Sequence, residues 1–287
     1  MPDTKDLSQR IEASLSEMSK GQKRIADFIM KNYDKAAYMT ALRLGDSVGV
    51  SESTVVRFAM DLGYSGYPQL QKALQDMVRN RLTTLQRMEM TSDMSRSMVL
   101  RTVLRADMSN LRQTIESIDA EEFEQVVDLV YNSRRVYVLG ARSSAPLAQF
   151  MGYYLNFLLD NVQIVTSGIN DIMEQLVHIE SDDVLIGISF PRYSKRTIEG
   201  VRFAKEKGAK IIAITDSGAS PLNEYASHVL VAHSNIASFV DSLVAPFSIA
   251  NAFIVAIGLQ KRQEASENFM ELERIWDQYS VYIDKGR

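Results

Sequence analysis

Arg135-Val-Tyr-Val-Leu-Gly-Ala-Arg-Ser-Ser-Ala-Pro146 decides the fold. A short apolar run ends at Gly140, hydroxyls follow at Ser143 and Ser144, and Pro146 opens an amphipathic stretch. Proline is favoured in the first turn of a helix, where its missing N–H forfeits no bond. The stretch therefore reads as strand, hydroxyl loop and helix N-terminus. Val184-Leu-Ile-Gly-Ile-Ser-Phe-Pro-Arg-Tyr-Ser-Lys-Arg-Thr197 repeats the pattern. Free N–H groups and the helix dipole attract anions at such termini. Two loops of this kind at the strand C-termini of one sheet converge on one small anionic, hydroxylated ligand. The competing reading is two ordinary strand-to-helix turns with capping serines.

Outward from these loops, apolar runs near 135–139, 162–166, 184–188, 210–214 and 228–232 alternate with helical patterns near 146–159, 170–178, 197–207 and 221–226. Such alternation implies a mostly parallel sheet flanked by helices, an α/β domain. Two further helices are expected at Phe239–Leu259 and Glu267–Tyr282, with Trp276 as a packing residue in the second. Asp119 is placed to cap a helix over Ala120–Tyr131.

The N-terminal third has a different rhythm. Leu7, Ile11 and Leu15 repeat at helical spacing, and Ser19 stands ahead of a second helix carrying Ile25, Phe28 and Ile29. Thr40 caps a helix over Ala41–Val48, Gly49-Val50-Ser51 makes a tight turn, and a helix follows from Glu52 to about Leu62 with Gly63 after it. This is a helix–turn–helix pattern in an all-α domain. Gly45 lies where the two helices must approach, and Val55, Phe58, Ala59 and Leu62 form the inward stripe. Ser53, Val56, Arg57 and Met60 then face outward, with Ser51, Glu52 and Thr54 at the N-terminal end. In such motifs the N-terminal residues of the second helix reach base edges in the major groove, and Arg57 suits a guanine or a phosphate. A small helical bundle that binds protein is the competing reading. Tyr64–Pro68 reads as a turn and Gln69–Arg79 as a closing helix.

Residues 81–120 contain no Pro or Gly and read as a linker passing into a long helix from about Asp93 to Ser117. Its Met-rich stripe, including Met88, Met90, Met94, Met98 and Met108, fits packing against a partner subunit. The expected division is thus 1–80, 81–120 and 121–287.

Composition narrows the function classes. The chain has no cysteine, which removes disulfides, zinc–thiolate sites and cysteine nucleophiles. The N-terminus lacks the apolar core of a signal peptide, and no apolar run is long enough to span a membrane, so a cytoplasmic location is expected. The net charge of −4 is uneven: residues 1–80 carry 11 Lys/Arg against 10 Asp/Glu, and residues 121–287 carry 15 against 21. The N-terminal part is therefore free to present a basic face.

With both halves in view, the chain resembles the RpiR/MurR-type bacterial transcription regulators, which join a helix–turn–helix domain to a sugar-isomerase (SIS) domain. The resemblance rests on Leu44–Tyr64 in the first half. In the second it rests on Gly140–Ser144, Ile188–Ser194, Gly208–Thr215 and Ser220-Pro-Leu222. It implies a SIS domain that senses a phosphosugar, sugar acid or related anionic metabolite and alters operator binding. Ser144 falls on the family's first-loop serine, beside Ser143. Ser189 matches the first serine of the second-loop pattern Ser-x-Ser-Gly-x-Thr, and Ser194 replaces its threonine. Pro191 and Arg192 replace its serine and glycine, and Arg142 replaces a first-loop glycine. Losing glycine hinders close approach to phosphate, whereas arginine adds a fork-shaped partner for an anion. The implied ligand set is Arg142, Ser143, Ser144, Ser189, Arg192 and Ser194. The implied partners are an operator in double-stranded DNA and a second copy of the chain, as homodimer or homotetramer.

No catalytic, metal or cofactor motif is found. Glu174, Glu199, His178, His228 and His233 are the acid/base candidates near the loops or strands, and no paired motif gives any of them a role. The expected protein is a regulator and not an enzyme, requiring no cofactor. The alternatives are a phosphosugar isomerase with a helical appendage and a protein-interaction module on a sensor domain.

Overall fold

A computed structural model describes residues 7–81, 83–89 and 94–283. The chain divides into two compact units, 1–89 and 90–287, and the long helix lies in the second. Met90 and Asp93, read above as part of the Met-rich stretch and its start, lie outside the described residues, as do residues 1–6.

The first unit is all helical: α1 (Leu7–Ser14), α2 (Lys20–Lys31), α3 (Tyr33–Ala36), α4 (Ala41–Val48), α5 (Glu52–Asp61), α6 (Tyr67–Arg81) and α7 (Thr84–Glu89). Local chemistry fixes the helix starts. Ser19 and Gln22 form a reciprocal capping box, Thr40 caps α4, and Ser51 caps α5. Ile11, Ile25, Ile29, Leu44, Val55, Phe58 and Leu70 are fully buried in one core. Gly45 is required by close approach: a Cβ there would lie 2.7 Å from the Val50 carbonyl oxygen. The turn residue Gly49 takes φ 67°, and Gly63 after α5 takes φ 87°. Helix α6 closes the unit through polar side chains, with Tyr67 Oη and Gln71 Nε2 donating to the Met39 carbonyl at 2.7 and 2.8 Å.

One helix start and two short helices here differ from the sequence reading. Helix α6 begins at Tyr67, because Pro68 fits the first turn of a helix as well as it fits a loop. Helices α3 and α7 were not expected. The second had a local signal: Thr83 and Gln86 bond reciprocally, Thr83 N–H to Gln86 Oε1 at 2.9 Å and Gln86 N–H to Thr83 Oγ1 at 3.3 Å.

The second unit opens with α8 (Arg96–Ser117) and α9 (Ala120–Tyr131), the latter capped by Asp119. Five strands follow: β1 (Val136–Gly140), β2 (Val162–Val165), β3 (Val184–Ile188), β4 (Lys210–Thr215) and β5 (His228–Val231). All neighbours are parallel, in the order β2-β1-β3-β4-β5. Between them lie α10 (Ala145–Leu155), α11 (Ile172–Gln175), α12 (Lys195–Glu206) and a 3-10 turn at Pro221–Glu224. Helices α13 (Val244–Gln260) and α14 (Arg262–Gln278) end the unit. Both sheet faces are covered. Val138, Ile186, Ile212 and Ile214 pack with α9, α10 and α13, while Tyr137, Leu139, Leu185 and Ile211 pack with α11 and α12. At the opposite end from the loops, buried Asp183 accepts two bonds from Arg134, at 2.9 and 2.7 Å. That hydrogen-bonded carboxylate raises the Arg134 pKa.

The C-terminal helices shift against expectation. Helix α13 starts at Val244 and not Phe239, because Pro246 is tolerated only in a first turn. One side of it is exposed, at Val255 and Leu259. Helix α14 begins at Arg262, earlier than Glu267, and ends at Gln278. Trp276 packs edge-on against Phe157 and Tyr282. Among the described residues no single helix is long and apolar enough to cross a membrane.

Candidate functional site

The strand order places the two serine loops. The chain leaves β1 toward β2 on one side and leaves β3 toward β4 on the other. The connections after β1 and β3 therefore diverge and open a crevice at their carboxyl ends, where open α/β sheets bind ligands. Gly140 and Ile188 are partners in register, so the two loops leave the sheet side by side.

After β1, Arg142–Ser144 forms a 3-10 turn leading into α10. A Cβ on Gly140 would lie 2.6 Å from the Ser144 carbonyl oxygen, so glycine lets the turn fold back on the strand end. Ser144 is buried, and its hydroxyl makes no capping bond to the helix. Ser143 is exposed and donates to Asp241 Oδ2 at 3.1 Å. After β3, Ser189 is buried, and its Oγ accepts the Ser194 N–H at 3.1 Å. Ser194 caps α12 by accepting from Thr197 N–H. The buried Thr197 Oγ1, one turn into the same helix, makes no hydrogen bond.

Arg142 and Arg192 are exposed, and both adopt left-handed backbone, φ 56° and 63°. The structure brings Ser189 and Ser194 into direct contact and sets Ser144 at the neighbouring strand end. It ties Ser143 to a different segment.

Sequence reading missed a third contribution, from the end of β4. Thr215 Oγ1 donates to the Ser189 carbonyl at 2.8 Å and lies 2.8 Å from Ser220 Oγ. Tyr193 Oη donates to the buried Asp216 carboxylate at 2.7 Å, fastening the second loop to β4. The available signal was hydroxyl and acid residues directly after the fourth apolar run.

In the first unit, Ser51, Glu52, Ser53 and Arg57 are exposed and Thr54 is half-buried. Ser51 Oγ caps α5 and lies 2.9 Å from the hydroxyls of both Ser53 and Thr54, so these three form one cluster at the helix start. Ser53 and Arg57 are four residues apart on the face opposite Val55, Phe58 and Ala59. Arg24, which sequence reading did not single out, donates to the Gly49 carbonyl at 3.1 Å and braces the turn.

Residues 5–81 match the helix–turn–helix domain of the rpiR family, and residues 129–256 match the SIS domain. The chain is an rpiR-family helix–turn–helix protein with a SIS domain. Relatives share this organisation. An HTH-type transcriptional regulator of Haemophilus influenzae is 29% identical over 79% of this chain and 79% of its own. The HTH-type regulator HexR of Pseudomonas aeruginosa is 24% identical over 76% and 75%. Among solved structures, the sugar isomerase domain of an RpiR transcription factor from Sphaerobacter thermophilus is 29% identical. It covers 62% of this chain and 99% of that one, with TM-score 0.59. The Vibrio vulnificus NanR protein complexed with ManNAc-6P shares the fold at 18% identity, covering 95% and 98% with TM-score 0.58.

Four of the five acid/base candidates have local partners. His228 Nδ1 lies 3.1 Å from Glu122 Oε1, and His233 Nε2 lies 3.3 Å from Ser117 Oγ. Glu174 completes a capping box with Asp171, Glu199 pairs with Lys195 and Arg196, and His178 is exposed.

Proposed function

We propose that the chain is a DNA-binding transcriptional regulator whose operator affinity is set by a small anionic, sugar-derived effector. The carrying observation is the strand order that sets both hydroxyl loops on the β1/β3 crevice. Ser144, Ser189 and Ser194 hold the anion with the N-termini of α10 and α12, and Arg142 and Arg192 supply the positive charge that the acidic unit lacks. Ser143 joins them when it leaves Asp241. The ManNAc-6P complexed with the NanR neighbour is a ligand of this chemical class. Ser51, Glu52, Ser53, Thr54 and Arg57 form the DNA face, with Arg57 on a base edge or phosphate. Glu174, Glu199, His228 and His233 are engaged in a helix cap, ion pairs or contacts with α8 and α9, which favours sensing over turnover.

One helix–turn–helix reads few base pairs, so the regulator acts as a homodimer or homotetramer in the cytoplasm. The exposed apolar residues of α8, among them Met98, Leu100, Leu104 and Met108, are the proposed contact between copies. Binding to duplexes selected from a random pool tests the reading, with sugar phosphates and sugar acids added in turn. Arg57→Ala should weaken binding by roughly 1–3 kcal/mol at fixed salt. Equal affinity of the variant and the parent, or indifference of the complex to every anion, refutes the respective half.

A further inference from the structure

The connection from β5 to α13, residues 232–243, has no regular secondary structure, and its polar groups bond to two distant elements. On one side it meets α8. Asn110 Nδ2 donates to the Asn235 carbonyl at 2.9 Å, and Asn110 Oδ1 accepts the Asn235 N–H at 2.9 Å. The His233 N–H donates to Thr114 Oγ1 at 2.9 Å, and Ser242 Oγ donates to Asp107 Oδ1 at 2.6 Å. Asp107, Asn110 and Thr114 are spaced three and four apart, so one face of α8 makes all these bonds. Asn110 and Thr114 are buried, while Met98, Leu100, Leu104 and Met108 on the same helix are exposed. On the other side the connection meets the first serine loop, through Asp241 and Ser143 at 3.1 Å.

A carboxylate bonded to an effector-loop hydroxyl and an anion bonded to that same hydroxyl exclude one another, by charge and by occupancy of the donor. Asp241 is next in sequence to Ser242, which holds Asp107. A shift of one disturbs the other. Contacts made of side-chain hydrogen bonds exchange readily for water, unlike a buried apolar interface, because the net value of each is small.

We infer that residues 232–243 form a strap joining the effector crevice to helix α8, and that Asp241 is the group an anionic effector displaces from Ser143. This deepens the sensor reading above and rests on it. Anion binding breaks the Ser143–Asp241 bond, loosens Ser242 from Asp107, and alters the hold on the helix by which the chain enters the second unit from the DNA-binding unit. Linkage makes the coupling reciprocal: weakening the strap on its α8 side also raises anion affinity.

The test uses the full chain with inorganic phosphate as probe, read by calorimetry and by hydrogen exchange. Asp241→Asn should bind phosphate roughly fivefold tighter, as removal of a neighbouring like charge requires. Asp160→Asn, ahead of β2 at the other end of the sheet, should leave affinity unchanged. In the parent, phosphate should slow exchange in 142–144 and 189–197 and speed it in 233–243 and 107–117. Ser242→Ala, a change at a half-exposed position, should keep the protection of both loops and lose the change in 107–117. Protection of the loops with unchanged exchange in α8, or equal affinity of the parent and Asp241→Asn, overturns the strap and leaves the sensor reading standing. Failure of phosphate to protect the loops in either protein overturns the sensor reading and the strap with it.

Discussion

Arg142 and Arg192 hold the same left-handed backbone, φ 56° and 63°, in the two loops that flank the β1/β3 crevice. Each stands where the family pattern has glycine, so the backbone keeps a glycine-like conformation and the side chain adds a charge. A left-handed conformation costs a non-glycine residue about 1 kcal/mol. Arg142→Gly and Arg192→Gly should therefore leave stability within about 1 kcal/mol of the parent, since relief of strain offsets the added freedom of the unfolded chain. Anion affinity should fall in both. Calorimetry with a sugar phosphate and a thermal melt separate the two effects, and undiminished affinity counts against inward-turned arginines.

Ser144 and Ser189 should respond differently to alanine. Ser144 makes no capping bond, so Ser144→Ala should lower effector affinity by roughly 1–3 kcal/mol with little change in melting temperature. Ser189 also accepts the buried Ser194 N–H, so Ser189→Ala should lower affinity and stability together. If neither change alters affinity, the two-loop pocket is wrong.

Gly45→Ala places a Cβ 2.7 Å from the Val50 carbonyl oxygen, a backbone atom that cannot turn aside. Overpacking of this kind costs roughly 1–3 kcal/mol. Hydrogen exchange in α4 and α5 should quicken and DNA binding weaken. Gly168→Ala, where a Cβ meets nothing within 4 Å, is the matched control.

Burial pushes the Tyr67 phenol up to about 12 from 10.0, while its hydroxyl donates to the Met39 carbonyl. Above pH about 10 the unfolded chain loses this proton and the folded unit keeps it. The stabilisation is complete below that pH and is lost as pH rises through the folded value. Urea melts followed by circular dichroism at alkaline pH should show this decline. Tyr67→Phe should flatten it and cost about 1 kcal/mol at neutral pH for the lost bond.

The sequence by itself determined every element but the short helices α3 and α7, and the kinds of residue at their ends. Apolar runs mark all five strands, Ser19, Thr40, Ser51 and Asp119 mark helix starts, and Gly45 marks the close approach of α4 and α5. These are local signals, set by propensity, capping and periodicity within a few residues. They also named the serines of both loops. Where two local readings competed, as for Pro68 and for Pro246 in an apolar run begun at Phe239, the boundary was misplaced.

The tertiary structure alone decided which loops share a crevice and what else reaches it. Strand order is settled by packing both sheet faces, and no single strand encodes its neighbour. Thr215 reaches the Ser189 carbonyl across 26 positions, Asp241 reaches Ser143 across 98, and Asn110 reaches Asn235 across 125. Such bonds form only after the sheet and helices bring remote polar groups together. No periodicity or cap announces them, and so the serines were legible while the strap that joins Ser143 to α8 was not.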